Sequence, residues 1–111
     1  MLSLAAIQGV KLETTTVDVP EWGGAVAIQK LSVSKRDKLA DFFTSDDLEL
    51  RKQGAVRTVI AAVVDGESPM FNDGHYDFLS DQDAEVITRL FGSILEFNGM
   101  SKKKEAQQKK P

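Results

Sequence analysis

The chain has no cysteine, which excludes disulfide bonds and thiolate metal sites. No segment approaches the roughly 20 apolar residues that a membrane-spanning helix needs. The N-terminal stretch 1–10 has no basic region before its short apolar run, so it does not fit a secretory signal. Together these absences predict a soluble protein of a reducing cytoplasm that has no membrane partner.

Length and charge divide the chain into two parts. With 41% hydrophobic residues among 111, it supports one compact core, so we expect a single domain at 1–100 and a solvated tail at 101–111 that is rich in lysine and glutamine. In the tail, five lysines against one glutamate give +4; because the net charge is −3, residues 1–100 carry −7. An acidic body and a tail without arginine or aromatic residues match a phosphate backbone poorly, so a nucleic-acid partner is not expected.

The first third of the chain has the pattern of a β-hairpin. Apolar and polar residues alternate over Val10–Val19 and again over Ala25–Leu31, which is the period of a strand. Between them, Pro20–Gly24 combines a proline with two glycines and should reverse the chain. Trp22 in this turn either packs against the hairpin or anchors a partner.

Two helices are predicted next. The first runs over about Lys35–Phe43, with Ser34 as its capping residue. The second is longer, is capped within Ser45-Asp46, and has apolar residues at three- and four-residue steps over Leu48–Val64. Gly54 inside it weakens the first turns or marks a close approach of another group to the backbone.

A loop and a third helix complete the predicted fold. The loop covers Asp65–Tyr76, which is rich in glycine and polar residues. The capping pair Ser80 and Asp83 precedes a helix with a broad apolar face that ends near Asn98, and Gly99 suits a left-handed helix stop. We therefore expect an α+β fold, an N-terminal β-hairpin packed with about three α-helices.

No catalytic, cofactor or metal site is predicted. His75 is the sole histidine, and no serine or cysteine stands in a recognisable nucleophile arrangement with it. The loop carboxylates look like a cation-binding loop, but Met70 stands where a calcium loop needs glycine and Tyr76 where it needs glutamate. A small enzyme using His75 is the rival hypothesis. Its carboxylates would be Asp65, Glu67, Asp73 and Asp77.

The helices carry more apolar residues than simple packing needs. Phe42 and Phe43 are adjacent, so a single helical face cannot hide both, and the third helix has a wide apolar face. We expect the excess to form a partner-binding surface. Strand edges of the hairpin offer a route to self-association. The candidate partner-binding residues are Trp22, Phe42, Phe43, Phe91 and Leu95.

Several segments resemble the tail assembly chaperone family of long-tailed bacteriophages. The most specific is Val17–Gly24, which contains Val-Pro-Glu-Trp-Gly-Gly and is followed by Lys35-Arg36-Asp37. Downstream, Val64-Asp65-Gly66 is similar to the loop that ends the central helix in that family. Leu90-Phe91 and Asn98-Gly99 are similar to parts of its final helix and helix stop. The resemblance covers about residues 10–100.

This resemblance implies a late phage protein that binds and solubilises the tape measure protein, promotes assembly of the tail tube in the host cytoplasm, and leaves before the tail matures. Because a long tape measure needs many copies, it also implies a homo-oligomer. The alternative is a structural minor tail or connector protein that stays in the virion.

Similar proteins are often made in two lengths, the longer by ribosomal frameshifting near the end of the reading frame, and the longer form implies contact with the tail tube protein. Lysine codons are runs of A and favour such slippage; Lys102–Lys104 and Lys109-Lys110 lie where the site is expected. The alternative is that these lysines are only a solubilising tail.

Overall fold

The computed structural model describes residues 1–100, and the predictions for the 101–111 tail and its frameshift site lie outside them. Four strands form one antiparallel sheet in the order β1-β2-β3-β4. The strands are β1 (Thr14–Val19), β2 (Gly24–Gln29), β3 (Val63–Asp65) and β4 (Ser68–Pro69). The helices are α1 (Leu4–Gln8), α2 (Val33–Phe43), α3 (Leu48–Lys52), α4 (Gly54–Ala62), α5 (Tyr76–Ser80) and α6 (Ala84–Phe97). The predicted α+β class is confirmed.

The predicted hairpin is β1 and β2, with Val17 paired to Val26. A short 3-10 helix over Pro20–Trp22 makes the turn, and Gly23 ends it at a φ of 85°, which favours glycine. The strand begins four residues later than predicted, at Thr14. Its partner β2 ends at Gln29, opposite Thr14, and one further backbone hydrogen bond runs from the N–H of Lys30 to the carbonyl of Glu13 at 2.8 Å.

Helix α2 is where the sequence predicts a helix, but the capping residue is wrong. Ser32, not Ser34, accepts a hydrogen bond from the backbone N–H of Lys35 through its Oγ, at 3.1 Å. An N-cap side chain bonds the N–H two or three residues on, so the helix begins at Val33.

The long second helix is a wrong prediction, because the structure divides that segment into α3, α4 and β3. The cap of α3 is Asp47, whose Oδ1 accepts from the backbone N–H of Glu49 at 2.9 Å. After α4 the chain becomes extended, and Val63 pairs with Ile28 of β2. A short apolar run satisfies helix and strand periodicity alike, and here the free edge of β2 decides in favour of the strand.

Helix α6 agrees with the prediction in its extent and its end. Its cap is Asp83, whose Oδ1 accepts from the backbone N–H of Glu85 at 2.8 Å, whereas Ser80 belongs to α5. Gly99 follows the helix with a φ of 72°, as the left-handed stop requires. The predicted loop before α5 contains β4 and a 3-10 helix over Asp73–His75.

The core lies between strands β1 to β3 and helices α4, α5 and α6. Its fully buried side chains include Val19, Ile28, Val59, Val63, Leu79, Val86, Leu90 and Ile94. Thr58 is the buried polar residue among those described, and its Oγ1 donates to the carbonyl of Gly54 at 2.8 Å. The core cluster contains residues from one side of α4 and α6 and none from α2. Helix α2 therefore lies at the periphery and has exposed surfaces of its own.

Candidate partner-binding surface

Helix α2 lies between two concave apolar surfaces. Phe42 and Phe43 are about 100° apart around the helix axis because of its 3.6-residue period, so they face different sides. Phe42 lines one surface and Phe43 lines the other, while Leu39 contributes to both. The sequence argument that one face cannot hide both phenylalanines is therefore confirmed.

The first surface, which we call the aromatic pocket, lies between α2 and the end of α6 and has a volume of about 320 Å³. Its wall is almost entirely apolar. Arg36, Asp37 and Thr44 are its exposed polar members. The remaining lining residues are Leu31, Leu39, Ala40, Phe43, Thr58, Leu95 and Met100.

The ring of Phe43 stacks on that of Phe91, with centroids 5.7 Å apart and an angle of 22° between the planes. This offset stacking joins α2 to α6 beside the pocket. The same ring lies against the backbone at Gly54, where a Cβ would be 2.7 Å from Cζ of Phe43 and closer still to Cε1. Gly54 is thus required for this ring position, which is the close approach that the sequence suggested.

The second surface, which we call the α2–α4 groove, has a volume of about 740 Å³. Its apolar lining comes from Leu39, Phe42, Leu50, Ile60, Ala61, Pro69 and Phe71. Its charged lining residues are Lys35, Lys38, Asp41, Arg57 and Asp73.

Arg57 fixes one side of the groove. Its guanidinium lies 4.5 Å from the ring centre of Tyr76 and 5.7 Å from that of Phe42, and Nη1 donates to Oδ1 of Asp73 at 3.2 Å. Nε and Nη2 both donate to Oε1 of Gln53. These contacts of Arg57 hold α2, α4 and the loop together. The exposed lining of the groove is mainly apolar.

Trp22 lines neither of the two surfaces. Its indole packs against the core, and Nε1 donates to Oε1 of Gln82 at 3.1 Å. In the same turn, Glu21 accepts a hydrogen bond from Arg89 of α6, which holds the pKa of Glu21 below its ordinary value. Of the two interpretations of Trp22, the structure favours packing. The turn is joined to α6 by the hydrogen bond between Glu21 and Arg89.

Of the five predicted partner-binding residues, Phe43 and Leu95 line the aromatic pocket, and Phe91 stacks on Phe43 without lining it. Phe42 belongs to the groove. Sequence reasoning missed Leu31 and Leu50, each of which lines one of the two surfaces. Leu31 is the last residue of a strand pattern, and Leu50 lies within the segment predicted as one long helix. Neither position therefore indicated a partner-binding residue.

The loop with the histidine shows an ordinary structural arrangement. Nδ1 of His75 accepts from the backbone N–H of Asn72 at 3.0 Å, and the imidazole meets the edge of Phe71 with ring centres 5.8 Å apart. Within residues 1–100, no group of three or more histidine or carboxylate side chains is placed to hold a metal ion. No helix in that range has the length and apolar character to cross a membrane.

No protein-family model matches the chain, and no curated protein does either. Among solved structures it is similar to the tail assembly chaperone of bacteriophage HK97, with a TM-score of 0.61 and 20% sequence identity. The match covers 84% of this chain and 90% of that one. The two chains therefore share a fold over most of their lengths.

Proposed function

Since the chain has the fold of the HK97 tail assembly chaperone, we propose that it is itself a phage tail assembly chaperone. In this role it acts in the host cytoplasm as a binding protein without a catalytic centre. It binds the tape measure protein, keeps it soluble and promotes assembly of the tail tube. The observation that carries the proposal is the match over 84% of this chain and 90% of the other.

The aromatic pocket suits the expected partner. A tape measure protein is expected to be a long helix with apolar stripes, and an amphipathic helix binds by inserting side chains at three- and four-residue spacing into an apolar groove. Phe43 is 41% exposed and lies beside Leu95 in a wall that is almost wholly apolar. Exposed aromatic residues next to a pocket are typical anchors of protein interfaces.

The negative charge of residues 1–100 supports a role in keeping the bound tape measure protein soluble. Residues 1–100 carry −7, by the difference between the net charge of −3 and the tail's +4. A net charge well away from zero keeps a protein with exposed apolar surface in solution. It also keeps a tape measure helix coated with several copies from aggregating with another coated helix.

A longer product is part of this proposal. A frameshift within the lysine codons would extend some copies beyond the chain described, and the extension would contact the tail tube protein while the shared domain holds the tape measure protein. Mass spectrometry of infected cells tests this directly, because peptides that cross from one reading frame into the other must be present.

The experiment for the main proposal compares infected cells with purified virions. A tagged copy of the chain should enrich the tape measure protein from infected cells, and the chain itself should be absent from purified virions. If the chain is found in virions at a fixed number of copies, it is instead a structural tail or connector protein.

A further inference from the structure

The negative charge of residues 1–100 comes from one stretch of the chain. Residues 58–88 contain seven carboxylates and neither lysine nor arginine, so with histidine neutral they carry −7. In the rest of 1–100, nine basic residues balance nine acidic ones. All seven carboxylate residues of the stretch are exposed. They are Asp65, Glu67, Asp73, Asp77, Asp81, Asp83 and Glu85.

Ion pairs neutralise only two of these seven. Glu67 pairs with Lys11, and Asp73 pairs with Arg57, whereas the other five form no ion pair within residues 1–100. Four of the five follow one another on α5, the turn after it and the start of α6. We call them the acidic face: Asp77, Asp81, Asp83 and Glu85.

An open aromatic cleft lies beside the acidic face. It has a volume of about 320 Å³ and is lined by Trp22, Phe71, Phe78 and Gln82. Phe78 is 56% exposed, and it neighbours Asp81 on α5 because residues three apart share one side of a helix. The face of an aromatic ring attracts a cation, and tryptophan does so most strongly. Rings next to carboxylates therefore suit a lysine or arginine side chain.

Repulsion within the acidic face points to the same ligand chemistry. Asp77 and Asp81 are four residues apart at α5, and like charges at this spacing destabilise a helix. The backbone N–H of Asp81 donates to the carbonyl of Asp77 at 3.1 Å, so the helical spacing holds at this pair. A cation bound between the two carboxylates would remove the repulsion.

The 101–111 tail has the charge that the acidic face lacks. Its five lysines and one glutamate give +4, while the rest of the chain outside 58–88 is balanced. Because the tail belongs to the same chain, its local concentration at any site within its reach is on the order of millimolar, which makes it a strong competitor for such a site.

Only the last lysines of the tail can reach the acidic face. The face lies at the start of α6 and Met100 follows the end, about 21 Å away for a helix of 14 residues. Gly99 turns the chain at this end, where the N–H of Met100 donates to the carbonyl of Leu95 at 2.7 Å. At about 3.3 Å for each extended residue, Lys109 can lie up to about 30 Å from Met100, but Lys103 only about 10 Å.

We propose that the 101–111 tail binds the acidic face of its own chain, with Lys109 or Lys110 over the ring of Phe78 and beside Asp77 and Asp81. The contact offsets more than half of the charge of residues 58–88. It leaves the aromatic pocket open, because that pocket includes Met100 and lies at the other end of α6. A basic segment of any partner must displace the tail before it can bind the acidic face.

Paramagnetic relaxation in the full chain tests this contact. Because the chain has no cysteine, Gln108→Cys gives a single site for a nitroxide label next to Lys109. At low salt the label should reduce the amide signals of Phe78 and Asp81 to less than half of their intensity with the nitroxide reduced. At 1 M salt, where the Debye length is about 3 Å, most of this intensity should return. Full intensity at low salt would overturn the proposal.

Two pairs of carboxylates separate the specific contact from a general effect of charge. Asp77→Asn/Asp81→Asn should abolish the broadening at Phe78. Asp37→Asn/Asp41→Asn is the matched control, because it removes two exposed carboxylates that are also four residues apart, on α2, and the broadening should remain. All four residues are exposed, so the domain should fold normally. Equal loss of broadening in both variants would contradict the proposed site.

Substitutions of the lysines need no label and leave residues 1–100 unaltered. Lys109→Gln/Lys110→Gln should move the ring signals of Phe78 to their positions at high salt. Lys102→Gln/Lys103→Gln removes the same charge from residues too close to Met100 to reach the face, and should leave these signals in place. Equal shifts in the two variants would count against binding through the last lysines.

Mixing decides whether the tail binds its own chain. Spin-labelled chain without isotope is added to ¹⁵N chain without label, so that only a contact between two copies can broaden the ¹⁵N signals. The proposal predicts unchanged signals for Phe78 and Asp81 in this mixture. Broadening equal to that within the labelled ¹⁵N chain would show that the tail binds another copy, and would overturn the proposal.

Discussion

The ring of Phe43 in α2 stacks on the ring of Phe91 in α6, with centroids 5.7 Å apart. The two residues are far apart in sequence, and the stack joins the peripheral helix to a helix of the core. Because Gly54 leaves space for the ring of Phe43, the aromatic pocket depends on three separate segments of the chain.

Gly54→Ala should displace the Phe43 ring. The methyl group would meet three ring atoms, and losing the stack costs about 0.5–1.5 kcal/mol. The gain in helix propensity is at most about 1 kcal/mol, so the free energy of unfolding should change little. The NMR shifts of Phe43 and Phe91 should change clearly. Unchanged ring shifts in the folded variant would contradict this account.

Gly92→Ala is the matched control for that substitution. Gly92 lies within α6 and is exposed, and a Cβ there would meet nothing within 4 Å. This variant should therefore be more stable than the wild type by about 1 kcal/mol, measured by urea denaturation, with no shift of the Phe43 ring.

Asn98→Ala should destabilise the fold by about 1 kcal/mol, the effect of losing hydrogen bonds to partly buried backbone groups. Oδ1 of Asn98 accepts from the backbone N–H of Leu31, and Nδ2 donates to the carbonyl of Ile94, both at 2.8 Å. Asn98→Asp keeps the acceptor and should lose less stability. If the two variants were equally stable in urea denaturation, the bond to Leu31 would not be the important one.

Acid should weaken the contact between Glu21 and Arg89. The hydrogen bond from Arg89, and then one from the backbone N–H of Glu21, lower the pKa of Glu21 below its ordinary value of 4.5. A lowered folded-state pKa means that the stabilisation is present above 4.5 and is lost as the pH falls through the folded-state value.

Glu21→Gln should therefore be less stable than the wild type at pH 7, and the difference should shrink as the pH falls below the ordinary pKa of 4.5. Arg89→Gln should show the same convergence, and the double variant should be no less stable than the worse single one. Urea midpoints measured across this pH range check the prediction, and parallel curves for wild type and variant would count against it.

Phe43→Ala should weaken tape measure binding by about tenfold or more, as expected for a central aromatic anchor. Phe78→Ala is its matched control, because Phe78 is 56% exposed and does not line the aromatic pocket. Affinities measured by titration of a soluble tape measure segment should separate the two variants. Equal affinities would place the binding surface elsewhere.

Local sequence pattern was enough to predict the hairpin, α2, α6 and the stop at Gly99. In each case the signal lies within a few neighbouring residues, such as alternation in β2 or the glycine after α6. It was not enough for Val63 and Val64. Their conformation depends on the free edge of β2, which lies more than thirty residues earlier in the chain.

The candidate surface could be predicted only in part, for a related reason. Adjacent Phe42 and Phe43 showed that α2 must have two apolar sides. What each side contacts depends on α6, on α4 and on the loop that holds Tyr76 against Arg57. Trp22 was one candidate, with packing against the hairpin as the other interpretation, but no local pattern revealed that its indole would donate a hydrogen bond to Gln82.

The most direct test of the central claim is the soluble fraction of the phage's own tape measure protein when it is produced with and without this chain. The account predicts that the tape measure protein is largely insoluble alone, becomes soluble with the wild-type chain or Phe78→Ala, and gains much less from Phe43→Ala. A tape measure protein that stays insoluble with the wild-type chain, and also with its longer frameshifted form, would contradict the chaperone function.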